Sequence, residues 1–371
     1  MKNLVLPFVW IASCLLYTVG INAQTIITID NTANSTTTYQ TIQDAIDAAS
    51  AGDIIHVQPS PLNYGAAVID KPLTIIGRSH SETNKISTLT NIIYESSDIT
   101  IKGIDFTDLR APFRNFGDPN FAYSNINIED CNIESITIGT SAVNTLSDVT
   151  ITGSYISRKL INRRGSTNTT VTNNIFTSTF PLEIFDADEI VISNNIFRNN
   201  SGVTIRNVDL DGLPINMFNN MFIVNNTGGG DVNFTFDTTF SSGGYNLSNN
   251  LYYNYTAAGI NILGNATRNQ TNELIDVVPL FTSVDPTVSG SIAGPSSFFA
   301  STAFNDDLTL QAVSPAINGG VGGSQIGIYG NGFNFELQGR PRGVPILDIL
   351  RFDGTVPKNG VINATIKAKG F

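Results

Sequence analysis

One short motif returns eight times between residues 75 and 252, and it leaves few folds open to this chain. Its fullest copies are Ile101-Lys102-Gly103-Ile104-Asp105-Phe106, Ile128-Glu129-Asp130-Cys131-Asn132-Ile133 and Ile151-Thr152-Gly153-Ser154-Tyr155-Ile156. They are joined by Val171-Thr172-Asn173-Asn174-Ile175-Phe176, Ile192-Ser193-Asn194-Asn195-Ile196-Phe197, Met217-Phe218-Asn219-Asn220-Met221-Phe222 and Leu247-Ser248-Asn249-Asn250-Leu251-Tyr252, with Ile75-Ile76-Gly77 as a shortened first copy. First positions are separated by 26, 27, 23, 20, 21, 25 and 30 residues. Such steps fit a solenoid whose strands stay in phase while its turns absorb the variation. Separate Asn-rich hairpins in a sandwich would not hold one phase over so many copies.

Residue types agree with that coil. There are 42 Asn in 371 residues, and helix formers are scarce outside Tyr39 to Ala51. There Ile42, Ala45, Ile46 and Ala49 recur at helical spacing and Gly52 supplies a stop, which predicts one short amphipathic helix. Ile190, Ile192 and Ile196 are expected to face inward, with Ser and Thr outward. Gly or Asn after each strand suits a sharp turn through the left-handed backbone region. Asn173, Asn194, Asn219 and Asn249 are expected to stack as an inward amide ladder.

At the N-terminus, Met1-Lys2-Asn3 precedes an apolar run from Leu4 to Val19, and Ile21-Asn22-Ala23 reads as a cleavage pattern. Residues 1–23 are therefore expected to be a secretory signal and Gln24 the first mature residue. Ile11-Ala12-Ser13-Cys14 is a rival lipoprotein reading. Cleavage at Ala23 would remove Cys14 and the sole tryptophan, Trp10, leaving Cys131 without a disulfide partner.

The stretch from Thr38 to Ser79, with Asp53-Ile54-Ile55-His56-Val57 and Leu73-Thr74-Ile75-Ile76-Gly77, resembles the N-terminal cap and first coils of secreted right-handed parallel β-helix proteins of the pectate-lyase-like superfamily. LTLQAVSPAINGG followed by IGIYG resembles the closing coil of that group, as seen in surface proteins of Bacteroidota. The resemblance implies an all-β fold: a right-handed parallel β-helix over residues 24–337, of about ten coils, with an N-terminal capping helix. Residues 338–371 are expected to form a β-hairpin that caps the solenoid or attaches the protein to a surface. Segments 284–305 and 318–334 read as loops around a last coil at Leu308-Thr309-Leu310. The superfamily holds lyases, hydrolases, esterases and adhesins, so the fold leaves activity open.

Twenty Lys and Arg against 31 Asp and Glu give a net charge of −11, which argues against nucleic acid and disfavours anionic polysaccharide. Two His and two Cys do not make a four-ligand zinc site. Gly339-Arg340-Pro341 is shared with pectin methylesterases, but Arg342 follows where an aromatic is expected, and the Gln-Asp-Thr-Leu and Asp-Phe-Ile-Phe-Gly stretches are missing. A lyase needs a cation or calcium at a uronate carboxylate and a base beside it. Lys159, Arg163, Glu183 and Arg206 are the candidates, expected on one exposed face, with Arg158 and Arg164 near them. Their ordinary reading is a solvated set of cross-strand pairs. Asp186, Asp188, Asp209 and Asp211 are candidate calcium ligands, or turn residues. Tyr252, Tyr253 and Tyr255, with Phe113 and Phe116 elsewhere, are candidate stacking groups for a glycan or protein, or covers for the end of a coil. The expectation is a monomeric, secreted or surface-bound protein without a required cofactor, presenting a long face to a glycan or protein. The alternative is a polysaccharide lyase or glycoside hydrolase.

Overall fold

The computed structural model describes residues 24–371 except 34, 81–85, 113–120, 140–144, 164, 186–189, 200–201, 209–212, 225–233, 239–242, 255–261, 264–266, 283–306, 338, 345, 353–363 and 370–371. The chain winds into a parallel β-solenoid. One sheet has eleven strands, from Ile26–Ile29 to Arg268–Thr271, and a second has fourteen. Every pairing within these two sheets is parallel, and the repeats pair in phase: Val171 lies opposite Ile192, Ile192 opposite Met217, and Met217 opposite Leu247. About seven regular turns are formed where about ten were expected. A helix interrupts the first rungs, and the last strand, Arg268–Thr271, carries only polar side chains and is mostly exposed.

The helix spans Ile42–Ala48, shorter than predicted, because Ala49 already has extended backbone. Thr41 caps it by accepting from the Asp44 N–H at 3.2 Å. Ile42, Ala45 and Ile46 are buried against the first rungs, closing that end of the core.

The second sheet divides. Strand Tyr155–Asn162 has a register shift between Ile156 and Lys159. Its first half pairs with Ile175–Phe176 and its second half with Leu182–Ile184. Earlier coils therefore carry one long strand where later coils carry two short ones. Inside, Phe176, Phe197, Phe222 and Tyr252 stack face to face at 4.8, 4.9 and 4.9 Å, which is the rung spacing of a parallel sheet. Tyr252 is thus core, fully buried, and is no platform for a ligand.

The amide ladder exists, displaced by one residue from its predicted position. Asn173, Asn194, Asn219 and Asn249 have φ of 55–56° and make the turn. The next residue of each pair points inward: the Asn174 N–H donates to Asn195 Oδ1 at 2.9 Å, Asn195 to Asn220 at 3.0 Å and Asn220 to Asn250 at 2.9 Å. Ser154 begins the column and Glu273 ends it, accepting from the Asn250 N–H at 3.0 Å. The turn also reverses the inside-outside phase. Ile196 consequently faces away from the main core, which takes Phe197.

What covers Ile196 is the C-terminal segment. Residues 318–334 run back along the solenoid over the turns. Asn249 Nδ2 donates to the Gly319 carbonyl at 2.8 Å, Asn219 Oδ1 accepts from the Val321 N–H at 2.8 Å, Asn194 donates to the Gln325 carbonyl at 3.1 Å and Asn173 to the Ile328 carbonyl at 2.9 Å. Ile326 and Ile328 from this strap, and Phe335 just after it, pack on Tyr155, Ile175, Ile196, Met221 and Leu251, one apolar residue per rung. Leu310, expected in a last coil, instead makes an antiparallel bridge to Phe281.

Gly339-Arg340-Pro341 leads the strap to its far anchor. The Ser79 N–H donates to the Gly339 carbonyl at 2.9 Å, and a side chain at Gly103 would strike Pro341. Arg342 meets buried Asp130 through Nε at 2.7 Å and its backbone N–H at 2.8 Å, with its guanidinium 3.9 Å above the Phe333 ring. His80 lies against the Leu337 carbonyl at 3.0 Å, and burial pulls its imidazole down to about 4. The antiparallel hairpin Ile346–Phe352 with Ala364–Lys369 follows this anchor, and its expected turn at Asp353-Gly354 lies outside the described residues.

Candidate functional site

Strands Thr88–Tyr94, Asp105–Arg110, Asn132–Ile138 and Tyr155–Asn162 lie side by side in the second sheet. Their outer face, with Asn63 at its edge, forms an open groove of about 480 Å³. Inward positions Leu89, Phe106 and Ile133 belong to the core, so the groove presents what alternates with them: Thr88, Thr90, Asp105, Thr107, Asn132, Glu134, Ser157 and Arg158. It is a surface of hydroxyls, amides and a few charges.

Asp105 is its most constrained polar group. Thr88, Asp105 and Asn132 are direct neighbours across three strands. Asn132 Nδ2 donates to Asp105 Oδ1 at 2.7 Å, and Thr88 Oγ1 donates to Oδ2 at 3.2 Å. Both bonds favour the carboxylate, yet burial outweighs them and holds the Asp105 carboxyl above its ordinary value. Among the described residues no cation pairs with it. Glu134, two positions beyond Asn132, pairs with Arg158 at 3.2 Å, and both are exposed. Asp108 pairs with Arg110 at 3.5 Å, and burial raises its carboxyl too, with Arg110 opposing and Glu134 adding to the rise.

The predicted charged face is a different place, and there the register is as expected. Glu183 lies opposite Arg206 on adjacent strands, and Lys159 reaches Glu183 at 3.6 Å. Arg206 pairs with Asp237 at 3.7 Å and lies 4.6 Å above the Phe180 ring, while Arg163 stands apart, 5.8 Å from the Phe185 ring. Lys159 and Arg206 each have a carboxylate already, so neither can neutralise a uronate without giving up that pair. Lys159→Ala and Arg206→Ala are expected to lower stability by about 1 kcal/mol or less, measured by urea denaturation, because the pairs are part-exposed.

Of the predicted stacking groups, Tyr253 is half-buried beside the strap cluster, and Tyr255, like Phe113 and Phe116, lies outside the described residues. The four aspartates Asp186, Asp188, Asp209 and Asp211 also lie outside them. Among the described residues, no group of three or more His, Cys, Asp or Glu side chains is placed to hold a metal. Cys131 is fully buried and its thiol is pushed far up by burial, which makes it an inert core residue.

Sequence reasoning overlooked the groove, although a signal was present. Asp105 and Asn132 occupy the same repeat position, two residues after the turn residues Gly103 and Asp130. Polar residues at equivalent positions of consecutive coils must stack on one face. No protein-family model matches the chain and no curated protein matches it.

Proposed function

We propose that this chain is an extracellular or cell-surface β-helix protein of the right-handed, pectate-lyase-like type, and that it binds a glycan in the Asp105–Arg158 groove without cleaving it. The observation that carries the reading is the groove itself: an open concavity whose outward residues are nearly all hydroxyl, amide or charged groups, set on a rigid sheet. Sugar hydroxyls need such donors and acceptors, and a site on strands holds them without ordering cost at binding. The strap supports a role in presentation, because it fastens the C-terminal hairpin's leading segment to the solenoid beside Asp130.

Hydrolysis is the second reading, favoured by one feature. Asp105, with its carboxyl raised, lines the same groove as Glu134, and a glycosidase requires one protonated and one ionised carboxyl group. Calorimetric titration with neutral, acidic and basic oligosaccharides, with reducing ends and unsaturated products followed in the same samples, separates the two. Heat of binding with no product is the expected result. New reducing ends lost in Asp105→Asn would replace binding by hydrolysis, and no heat with any glycan would contradict both.

A further inference from the structure

Asp105 fixes more than the presence of a ligand, and the following rests on the reading of the groove as a glycan site. Its carboxylate is held by Asn132 and Thr88 at 2.7 and 3.2 Å, and both partners are neutral. The neighbouring acids differ, since Glu134 has Arg158 and Asp108 has Arg110. Among the described residues, then, one half-buried carboxylate of the groove lacks a counter-charge. Taking an uncompensated charge out of water is costly, and a ligand that brings the opposite charge to it recovers part of that cost.

We infer that the groove takes a glycan bearing a free amine, a 2-amino-2-deoxy sugar unit, whose ammonium group pairs with Asp105. A uronate would set like charge against Asp105 in a protein of net charge −11. An N-acetylated sugar would bury Asp105 without compensating it. A lysine side chain carries the same ammonium, but the surface around Asp105 favours a sugar: Thr88, Thr90, Thr107, Ser157 and Asn132 offer polar partners to ring hydroxyls, and the apolar residues Leu89, Phe106 and Ile133 are nearly fully buried.

Titration of the whole protein at near-neutral pH with a glucosamine tetramer, the N-acetylglucosamine tetramer, a galacturonate tetramer and tetralysine tests this. The glucosamine oligomer is expected to bind at least about tenfold more tightly than the other three. Asp105→Asn should reduce it to the level of the acetylated oligomer, whereas Glu183→Gln, outside the groove and paired with Lys159, should leave the preference in place. In the wild-type protein the carboxyl carbon signal of Asp105, and not that of Glu183 outside the groove, should move on addition of the glucosamine oligomer, which requires no variant to fold. Equal or tighter binding of the acetylated or uronate oligomer would overturn the amine assignment and keep the glycan site. Tetralysine binding as tightly would overturn it in favour of a basic peptide. Failure of every oligosaccharide would overturn the glycan reading itself.

Discussion

Asn195→Leu is expected to destabilise the protein by about 3 kcal/mol. Asn195 Oδ1 accepts from both the N–H and Nδ2 of Asn174, at 2.9 and 3.1 Å. Its Nδ2 donates to the Val171 carbonyl at 2.9 Å and to Ser193 and Asn220 at 3.0 Å. Leucine has similar size and none of these groups, so buried donors and acceptors on both neighbouring rungs lose partners at once, each costing about 1–3 kcal/mol in isolation. Asn194→Gly is the matched control. Asn194 has φ of 56° and its side chain bonds to the strap on its outer side, so glycine keeps the turn and loses about 1 kcal/mol. Urea denaturation of the two variants should separate them clearly. Equal losses would mean that the inner column carries no special share of stability.

Arg342→Ala is expected to cost about 2–3 kcal/mol at neutral pH, because it leaves the Asp130 carboxylate, 0% exposed, with a single backbone N–H as its partner. Burial already pushes the Asp130 carboxyl above its ordinary value with Arg342 beside it. A folded-state value raised in this way gives a contribution to stability that is present in acid, below the unfolded value, and lost as pH rises through the raised one. Removing Arg342 raises the value further. The deficit of the variant should therefore shrink as the pH is lowered from about 7 towards 4, and Asp130→Asn in the Arg342→Ala background should recover most of it. A deficit that is constant with pH would assign the effect to lost contact with Phe333 instead of to the buried charge.

The repeat made most of the solenoid legible in sequence, because in-phase apolar residues can only be satisfied by stacking coil on coil. The one-residue error in the ladder has a physical origin. Both Asn of each pair tolerate the left-handed region, so the pair alone does not say which one turns. Earlier coils do: Gly103 and Gly153, at φ of 60° and 64°, align with the first Asn, while Cys131 and Ser154, small and buried, align with the second. The strap was not legible for a different reason. Its bonds join residues 70 to 260 positions apart and recur with no period in residues 318–342, since they use backbone carbonyls and amides that any sequence supplies. The groove lay between these cases, visible in the alignment of Asp105 with Asn132 but not in composition, where acidic residues in turns and on strands look alike.

Thr107→Trp offers the most direct test of the groove as the functional face. Thr107 is exposed on the groove wall, between the strands of Thr90 and Glu134, and its hydroxyl donates to the Thr90 carbonyl at 2.5 Å at the surface. An indole there fills the concavity while the core residues Phe106 and Leu109 stay as they are. Calorimetry of wild-type and variant protein with the oligosaccharide that binds best should show binding reduced by at least about tenfold in the variant. Its melting temperature should remain within about 2 °C of the wild type. Undiminished binding by a folded Thr107→Trp protein would place the glycan elsewhere on the solenoid and contradict the assignment.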